Sequence, residues 1–519
     1  MTLRIVPPPS RETQAASEIL APQGGNGGTA FQLEETENTP QIVWLQSEPG
    51  VEKEPGEGTE DGASRPRPLI FLPVSDNPAR DTLFFTALRT ALWPDKFTSL
   101  PTIDLSAVAG PAKPFFALRI LADYRPIFFP ARTERLTSSW ARQQAERLRR
   151  LPDQVSFILS TSGSTKPGGR LVGLSLAALR ASHQATAQRL GGAGIWVSAL
   201  PRDHIAGFQV IARAYAGGTE PVTIDMIGGF QLSRLREALQ NIAAGNVPVY
   251  LSLVPTQLRR ALSDPKTTAA LRLCSAILVG GARIPPSLLI AGREQGLNLV
   301  TTYGMTETCG GCVYDGVPLP GVKVAVKESR IWLSTPTLMS GYLEAESDPE
   351  IQVFEGETWL ATNDAGKIIF AGEGEDEAAG LVIDSTSPVR LEVLGRLDET
   401  IISGGENISL SLVTQAAEKA GFSGIEFCGL PDEEWGELLC AVFADSSLAD
   451  SHPDPENLDP LHLGPQLRAA LRGSLPASHL PRAVALLPHF PLLPSGKLDR
   501  RALGEAARAL DKENRTWRK

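Results

Sequence analysis

Short apolar runs alternate with longer stretches of helical periodicity through the middle of the chain. Val155 to Leu159, Val249 to Leu253, Ala276 to Val279 and Leu299 to Thr302 are examples of the runs; Leu176 to Leu190 and Leu232 to Ala244 are examples of the helical stretches. Short buried strands alternating with helices predict an α/β fold, with parallel or mixed sheets covered by helices. Upstream the pattern lapses. Pro7 to Pro9, the Gly24-Gly25-Asn26-Gly27-Gly28 run and the acidic Pro/Gly-rich stretch from Ser47 to Pro68 offer too little apolar surface to offset chain entropy. Residues 1–65 are therefore expected to form a largely disordered N-terminal extension, with Ile42 to Leu45 as one short strand, and folding resumes at Leu69 to Leu72. Around Leu394 to Asp398 a polar turn separates a large body, residues 66–395, from a small α+β domain, residues 396–519.

A length of 519 residues, 42% hydrophobic and 21% charged, with 48 Gly and 41 Pro, fits a loop-rich globular enzyme rather than a coiled coil or a repeat array. The net charge of -10 leaves no global positive field for a polyanion, which removes nucleic acid as an expected partner. No apolar run approaches the roughly 20 residues that span a bilayer, so no integral membrane segment is expected. Five cysteines cannot frame a disulfide scaffold, and a reducing, cytoplasmic setting is the expectation. Composition leaves open whether the chain is a homo-oligomer.

Five loops carry candidate chemistry. The strand Val155 to Ser160 runs into Thr161-Ser162-Gly163-Ser164-Thr165-Lys166-Pro167-Gly168-Gly169-Arg170, which offers bare backbone N–H groups, hydroxyls and cations, the components of a polyphosphate grip. It is not a Walker A loop: Gly163 and Gly168 have the spacing, but Gly169-Arg170 follow where Lys and a hydroxyl belong. The second loop, Tyr303-Gly304-Met305-Thr306-Glu307-Thr308, can stack a base, bond a phosphate and place a hard-metal ligand. Asp364, in Thr362-Asn363-Asp364, can accept both hydroxyls of a ribose or merely serve its turn. The fourth loop runs from Gly395 to Ile408, and the fifth from Pro491 to Arg500 through Lys497.

In this order and with these separations the five loops resemble the adenylate-forming superfamily of acyl-CoA ligases, luciferases and peptide-synthetase adenylation domains, over residues 150 to 505. The resemblance implies the adenylate-forming (AMP-binding) fold, a large N-terminal body with a small mobile α+β C-terminal domain. It also implies a small-molecule carboxylic acid substrate, ATP and Mg2+ as cofactors, and CoA as cosubstrate. By the same resemblance Thr161 to Thr165 hold the β- and γ-phosphates, Thr306 the α-phosphate, Glu307 the Mg2+, and Asp364 and Arg396 the ribose. Asp398 falls at the hinge, Gly404 and Gly405 where a mobile loop admits pantetheine, and Lys497 is the cation that reaches the carboxylate and α-phosphate. The intervening segments Leu200 to Arg213, Ser252 to Leu258 and Tyr303 to Gly316 are similar to the actinobacterial o-succinylbenzoate–CoA ligase family of menaquinone biosynthesis. That likeness implies activation of the succinyl carboxylate as an adenylate, then transfer to CoA with release of AMP.

Several residues keep two readings. Gly281 either leaves room beside the acyl and adenine pockets or is an ordinary turn glycine. His204 borders the acyl pocket or is a core histidine. Arg213 reads a second substrate carboxylate through a planar fork or shields apolar neighbours with its stem. The phosphate loop departs from the family in lacking its aligned Lys, so Lys166 or Arg170 must carry that charge or the grip on ATP is weakened. Cys309 and Cys312 have metal spacing without further ligands, and are expected to be structural. Arg147, Arg149 and Arg150 are read as a solvated basic face. The competing functions are another acyl or aryl acid–CoA ligase and a non-catalytic nucleotide-binding protein on the same fold. Lys497, Glu307 and Arg396 together argue against the second.

Overall fold

The apolar runs fold as strands, and their pairing divides them between two sheets. A computed structural model describes residues 3–6, 41–47, 67–92, 127–161, 169–242, 247–344, 350–354, 356–370, 381–422, 424–444, 459–493 and 497–519. Among these residues the first sheet has the strand order Leu3–Val6, Gln41–Ser47, Arg67–Val74, Ile127–Arg132, Val155–Ser160, Leu171–Ser175 and Gly341–Tyr342. The second runs Val317–Pro318, Gly310–Tyr314, Leu299–Met305, Ala276–Gly280, Val249–Leu253, Ile195–Ser198 and Val222–Thr223, with parallel pairing through its centre.

A helix buried almost all round joins the two sheets. Ile205–Ala216 buries every residue from Gly207 to Tyr215. Phe208 meets Phe157 of the first sheet edge-on at 5.2 Å between ring centroids. Such a helix needs apolar groups on all sides, and the Phe208-Gln209-Val210-Ile211-Ala212 run supplies them. The expected helix at Leu176–Leu190 is present, capped by the Ser175 hydroxyl at its start and by Gly191 at φ +89° at its end.

The third sheet, Ile351–Phe354, Glu357–Phe370, Arg330–Ser334, Lys323–Lys327 and Val382–Ile383, also takes Val389–Arg396 against Glu357–Phe370. The fourth holds Glu406–Ser409, Thr400–Ser403, Gly436–Ala444, Ala483–Leu487 and Trp517–Arg518, with Ile425–Asp432 beside Gly436–Ala444. Helices Leu410–Lys419, Pro460–Leu471 and Arg500–Lys512 cover the fourth sheet and bury their own apolar clusters.

Three readings of the sequence change. The extension is not uniformly disordered. Leu3–Val6 pairs antiparallel with Gln41–Ser47, which in turn pairs antiparallel with Arg67–Val74, so the backbone of both segments is tied into the first sheet. The rest of residues 1–65 lies outside the described residues. Asp364 is in the long strand Glu357–Phe370 rather than a turn, and Leu394 to Arg396 end a strand, so the polar turn starts three residues later than expected, at Leu397. Arg147 is not a solvated face: it reaches Glu344 at 2.9 Å and the Gly169 carbonyl at 2.8 Å.

One buried ion pair ties the end of the first sheet to the loop before Ile205–Ala216. Arg202 and Asp81 are 2% and 1% exposed, with a closest N–O distance of 2.7 Å. Arg202 also donates to the Ser75 carbonyl, and Asp81 accepts from the Ser75 N–H and hydroxyl. Arg202→Met is expected to cost about 3–5 kcal/mol, because Asp81 is left charged and buried. Urea titration checks this. Adding Asp81→Leu to Arg202→Met is expected to restore most of the loss, whereas a double variant no more stable than the single would assign the cost to packing.

Candidate active site

Two carboxylates, each accepting a phenol, define the floor of the site. Tyr303, in Leu299–Met305, donates its hydroxyl to Asp364 Oδ2 at 2.8 Å. Tyr342, on the edge strand of the first sheet, donates to Glu307 Oε1 at 2.7 Å. Burial, reinforced by the neighbouring carboxylates, pushes both phenols well above their usual range, so they remain neutral donors. Asp364 is itself raised by burial, against the opposing pull of the Tyr303 hydroxyl and Arg396. Thr306 and Glu307 lie in the single turn Thr306–Thr308, which the Thr308 hydroxyl fastens by accepting from the Met305 N–H at 3.0 Å and lying 2.8 Å from the Gly310 carbonyl.

Lys497 enters this cluster from the other end of the chain. Gly281 has φ +78°, and a Cβ there would lie 3.3 Å from Lys497 Cε, so the lysine stem rests where a side chain would otherwise stand. Burial holds the Lys497 amine below the ordinary lysine range and Arg396 adds to that, while Asp364 and Glu307 oppose it. His204, at the N-cap of Ile205–Ala216, feels the same charge. Burial lowers its pKa first, and Lys497, Arg132 and Arg135 lower it further against Asp203. The expected residues Glu307, Asp364, Arg396, Gly281, His204 and Lys497 are thus brought within reach of one another.

The phosphate loop is described at its two ends. The Thr161 N–H donates to the Arg170 carbonyl and the Arg170 N–H to Thr161 Oγ1, both at 2.9 Å. Gly169, at φ +65°, must be glycine, because a Cβ would stand 2.1 Å from the Thr161 carbonyl oxygen. The Arg170 guanidinium lies 5.0 Å from the Tyr342 ring centroid, close to the phenol that binds Glu307. Ser162, Gly163, Ser164, Thr165 and Lys166 lie outside the described residues.

Arg213 is 4% exposed, and its Nε and Nη2 have no hydrogen-bond partner. It sits 5.4 Å from the Trp196 ring centroid, one turn beyond Gln209, which bonds the Cys309 carbonyl. The Cys309 and Cys312 thiols are pushed up to about 12 by burial, which suits packing rather than metal ligation. Arg396 grips Asp398 through two 2.6 Å contacts. Burial works against the Asp398 carboxylate, but Arg396 outweighs it and holds its pKa low. Gly404 and Gly405, at φ +59° and +84°, form the tip of the hairpin between Thr400–Ser403 and Glu406–Ser409, with Trp435 against Gly404.

A family model described as AMP-binding enzyme matches residues 118–343. The probable 2-succinylbenzoate–CoA ligase of Mycobacterium tuberculosis is 36% identical over 360 residues, 68% of this chain and 85% of that protein. The chain belongs to the 2-succinylbenzoate–CoA ligase family. The Escherichia coli 2-succinylbenzoate–CoA ligase is 30% identical over 309 residues, 56% of this chain and 59% of its own. Among solved structures, ATP-bound MatB from Rhodopseudomonas palustris superposes with a TM-score of 0.60 at 17% identity, covering 84% and 96% of the two chains. Bacillus subtilis o-succinylbenzoate CoA synthetase with its acyl-adenylate intermediate gives 0.55 at 20%, covering 83% and 94%. The fold is that of the adenylate-forming enzymes, and membership makes the chain an AMP-forming acid–CoA ligase. No helix among the described residues is long and apolar enough to cross a membrane.

As a family member the chain uses ATP with magnesium. Among the described residues no three His, Cys, Asp or Glu side chains gather to hold a metal ion, but Glu307 supplies one carboxylate beside the nucleotide cluster. One carboxylate fits Mg2+, which is commonly held by one or two carboxylates together with substrate phosphates. Sequence reasoning missed Tyr342, Arg147, Glu344 and the Asp81–Arg202 pair, each of which acquires its role from a partner at least 35 residues away.

Lys497 is expected to titrate below an ordinary lysine. Asp364→Asn is expected to lower it further, since that carboxylate holds the ammonium up, while Arg396→Gln is expected to raise it. The pH dependence of amine labelling at Lys497, read by mass spectrometry, measures all three. An Asp364→Asn value above wild type would contradict the placement.

Proposed function

We propose that the protein adenylates the succinyl carboxylate of o-succinylbenzoate, named 2-succinylbenzoate in its relatives, and transfers the acyl group to CoA. A carboxylate oxygen attacks the α-phosphorus of ATP and pyrophosphate leaves. The CoA sulfur then forms the thioester bond at the acyl carbon, AMP leaves and the thiol proton passes to solvent. The observation that carries this reading is the arrival of Lys497 among Glu307, Asp364 and Arg396, because a cation in a water-poor cluster can steady the negative charge that builds as the carboxylate meets the α-phosphate.

In this reading Thr306 holds the α-phosphate and Glu307 holds Mg2+ together with the phosphates. Mg2+ supplies neutralisation of phosphate charge. Asp364, one oxygen committed to Tyr303, keeps the other for a ribose hydroxyl, and Arg396 lies beside it on the paired strand. Tyr303 offers its ring to the base. Thr161 and Arg170 stand at the β,γ-phosphate side, with Ser162 to Thr165 between them. Gly281, His204 and Arg213 belong to the acyl pocket. Asp398 is the hinge about which residues 396–519 turn, and Gly404 and Gly405 admit the pantetheine arm. The M. tuberculosis and E. coli relatives named for this acid support the choice of substrate.

Incubation with Mg2+, ATP, CoA and o-succinylbenzoate is expected to yield AMP, pyrophosphate and acyl-CoA in equal amounts. AMP formation with fatty or simple aryl acids but not with o-succinylbenzoate would move the assignment to another acid–CoA ligase.

Arg213 reads the carboxylate that is not activated, because a buried guanidinium with two unpartnered nitrogens is a fork awaiting an anion. Arg213→Ala is expected to lower kcat/KM by roughly two to three orders of magnitude, the equivalent of about 3–5 kcal/mol for a carboxylate left unpaired. Arg213→Lys recovers part of the loss. With an analogue lacking the benzoate carboxylate, wild type is expected to lose far more than the Ala variant. Equal losses would exclude Arg213 from this role.

A further inference from the structure

Lys497 belongs to a segment that reaches the body only if the fourth sheet stays docked against it. The backbone bonds around Lys497 are local: its carbonyl accepts from the Leu493 N–H at 2.8 Å, and Leu492 pairs with Leu498 across the loop. Those contacts shape the loop without fastening it to the second sheet. The charge of Lys497 works against docking, because its amine is desolvated in the docked state. Something else must favour the arrangement.

A two-pronged ion pair bridges the gap close by. Arg283 follows Ala276–Gly280, two residues beyond the Gly281 on which the Lys497 stem rests. Its Nη1 and Nη2 donate to Glu418 Oε1 and Oε2 at 2.9 and 2.6 Å. Glu418 lies in the last turn of Leu410–Lys419, a helix packed on the fourth sheet. The side chains are 29% and 14% exposed, so the pair is neither free in solvent nor sealed in a core. Further charges strengthen the match: Arg259 of the body acts on Glu418, and Arg283 acts on Glu426 of the fourth sheet. Arginines of the body thus face carboxylates of the fourth-sheet unit, where Glu426 also has Arg500 of its own unit at 3.5 Å, and the pairing across the gap fixes register as well as attraction.

We propose that Arg283 and Glu418 are a positioning pair that holds the fourth sheet in the arrangement placing Lys497 in the site. The pair touches no reacting atom. It acts by raising the fraction of molecules in which Lys497 is seated, so its loss appears as a population change rather than as altered chemistry. A parallel fork contact specifies an orientation that a point charge does not, and a pair that water partly reaches is not locked into a core.

The proposal rests on the adenylation reading above, and its test separates the two. With the full chain, acid-dependent exchange of pyrophosphate into ATP reports the first half-reaction, and thioester formation from synthetic acyl-adenylate and CoA reports the second. Arg283→Ala and Glu418→Gln are each expected to slow the first by roughly tenfold, with the melting temperature unchanged and the second half-reaction spared. Amine labelling of Lys497 is expected to accelerate in both variants. The exchanged pair, Arg283→Glu with Glu418→Arg, is expected to recover most of the exchange rate and the slow labelling, and Arg283→Lys only part. If wild type catalyses no exchange with any acid, the adenylation reading fails. Exchange in wild type that is matched by both single variants, or an equal fall of both half-reactions, or no recovery in the exchanged pair, would overturn the positioning role alone.

Discussion

An ammonium group held out of water is the constraint around which the site is arranged. Lys497 is stripped of solvent beside Gly281 and pressed further by Arg396, and only Asp364 and Glu307 oppose the loss of its proton. Those carboxylates are in turn kept in place by phenols, Tyr303 on one and Tyr342 on the other. A phenol suits this task because burial raises its pKa, so it donates without adding a charge. The result is a cluster with two cations and two anions in which each anion spends one oxygen on structure.

Two ion pairs with different burial do different work around that cluster. Asp81 and Arg202 are sealed inside the body, and their remaining hydrogen-bonding capacity is met by Ser75. Such a pair cannot open without stranding charge in a low-dielectric interior, so it fixes the loop ahead of His204 permanently. Arg283 and Glu418 are only partly buried and join parts of the chain 135 residues apart. Water reaches this pair in part, so it joins the body to the fourth-sheet unit without being sealed in a core. Burial, more than the chemical identity of the partners, sets which contact is permanent.

The buried strands were legible because local chain sufficed to announce them. Val249–Leu253 is an apolar run interrupted by Ser252 and is buried at every position; Leu176–Leu190 carries both its serine cap and its terminal glycine in sequence. Loop order likewise pointed to Glu307, Asp364 and Lys497 before any distance was known. Local chain could not announce Tyr342, since a Gly-Tyr pair becomes meaningful only when its strand lies beside Leu171–Ser175. Nor could it place Leu3–Val6, four residues beside a Pro-rich run whose strand shows only in its pairing with Gln41–Ser47. Arg147 was misread for the same reason. Three arginines among four residues look like a solvated face until Glu344, 197 positions later, meets one of them.

Backbone anchoring also fixes the two described ends of the altered loop. The family lysine has no aligned equivalent, yet the loop's exit is held at every backbone atom that matters. Gly169 offers its carbonyl to Arg147, Arg170 exchanges two hydrogen bonds with Thr161, and the Leu171 N–H donates to Glu344 at 3.0 Å. Arg147 and Glu344 are themselves paired, so the exit is tied to a helix on one side and to the segment after Tyr342 on the other. Of these bonds only the one to the Thr161 hydroxyl uses a side chain of the loop's described ends. A cation then emerges from a fixed point, because Arg170 lies between two pinned neighbours and its guanidinium is directed over Tyr342. Arg170 thus presents a positive charge beside the phenol that binds Glu307.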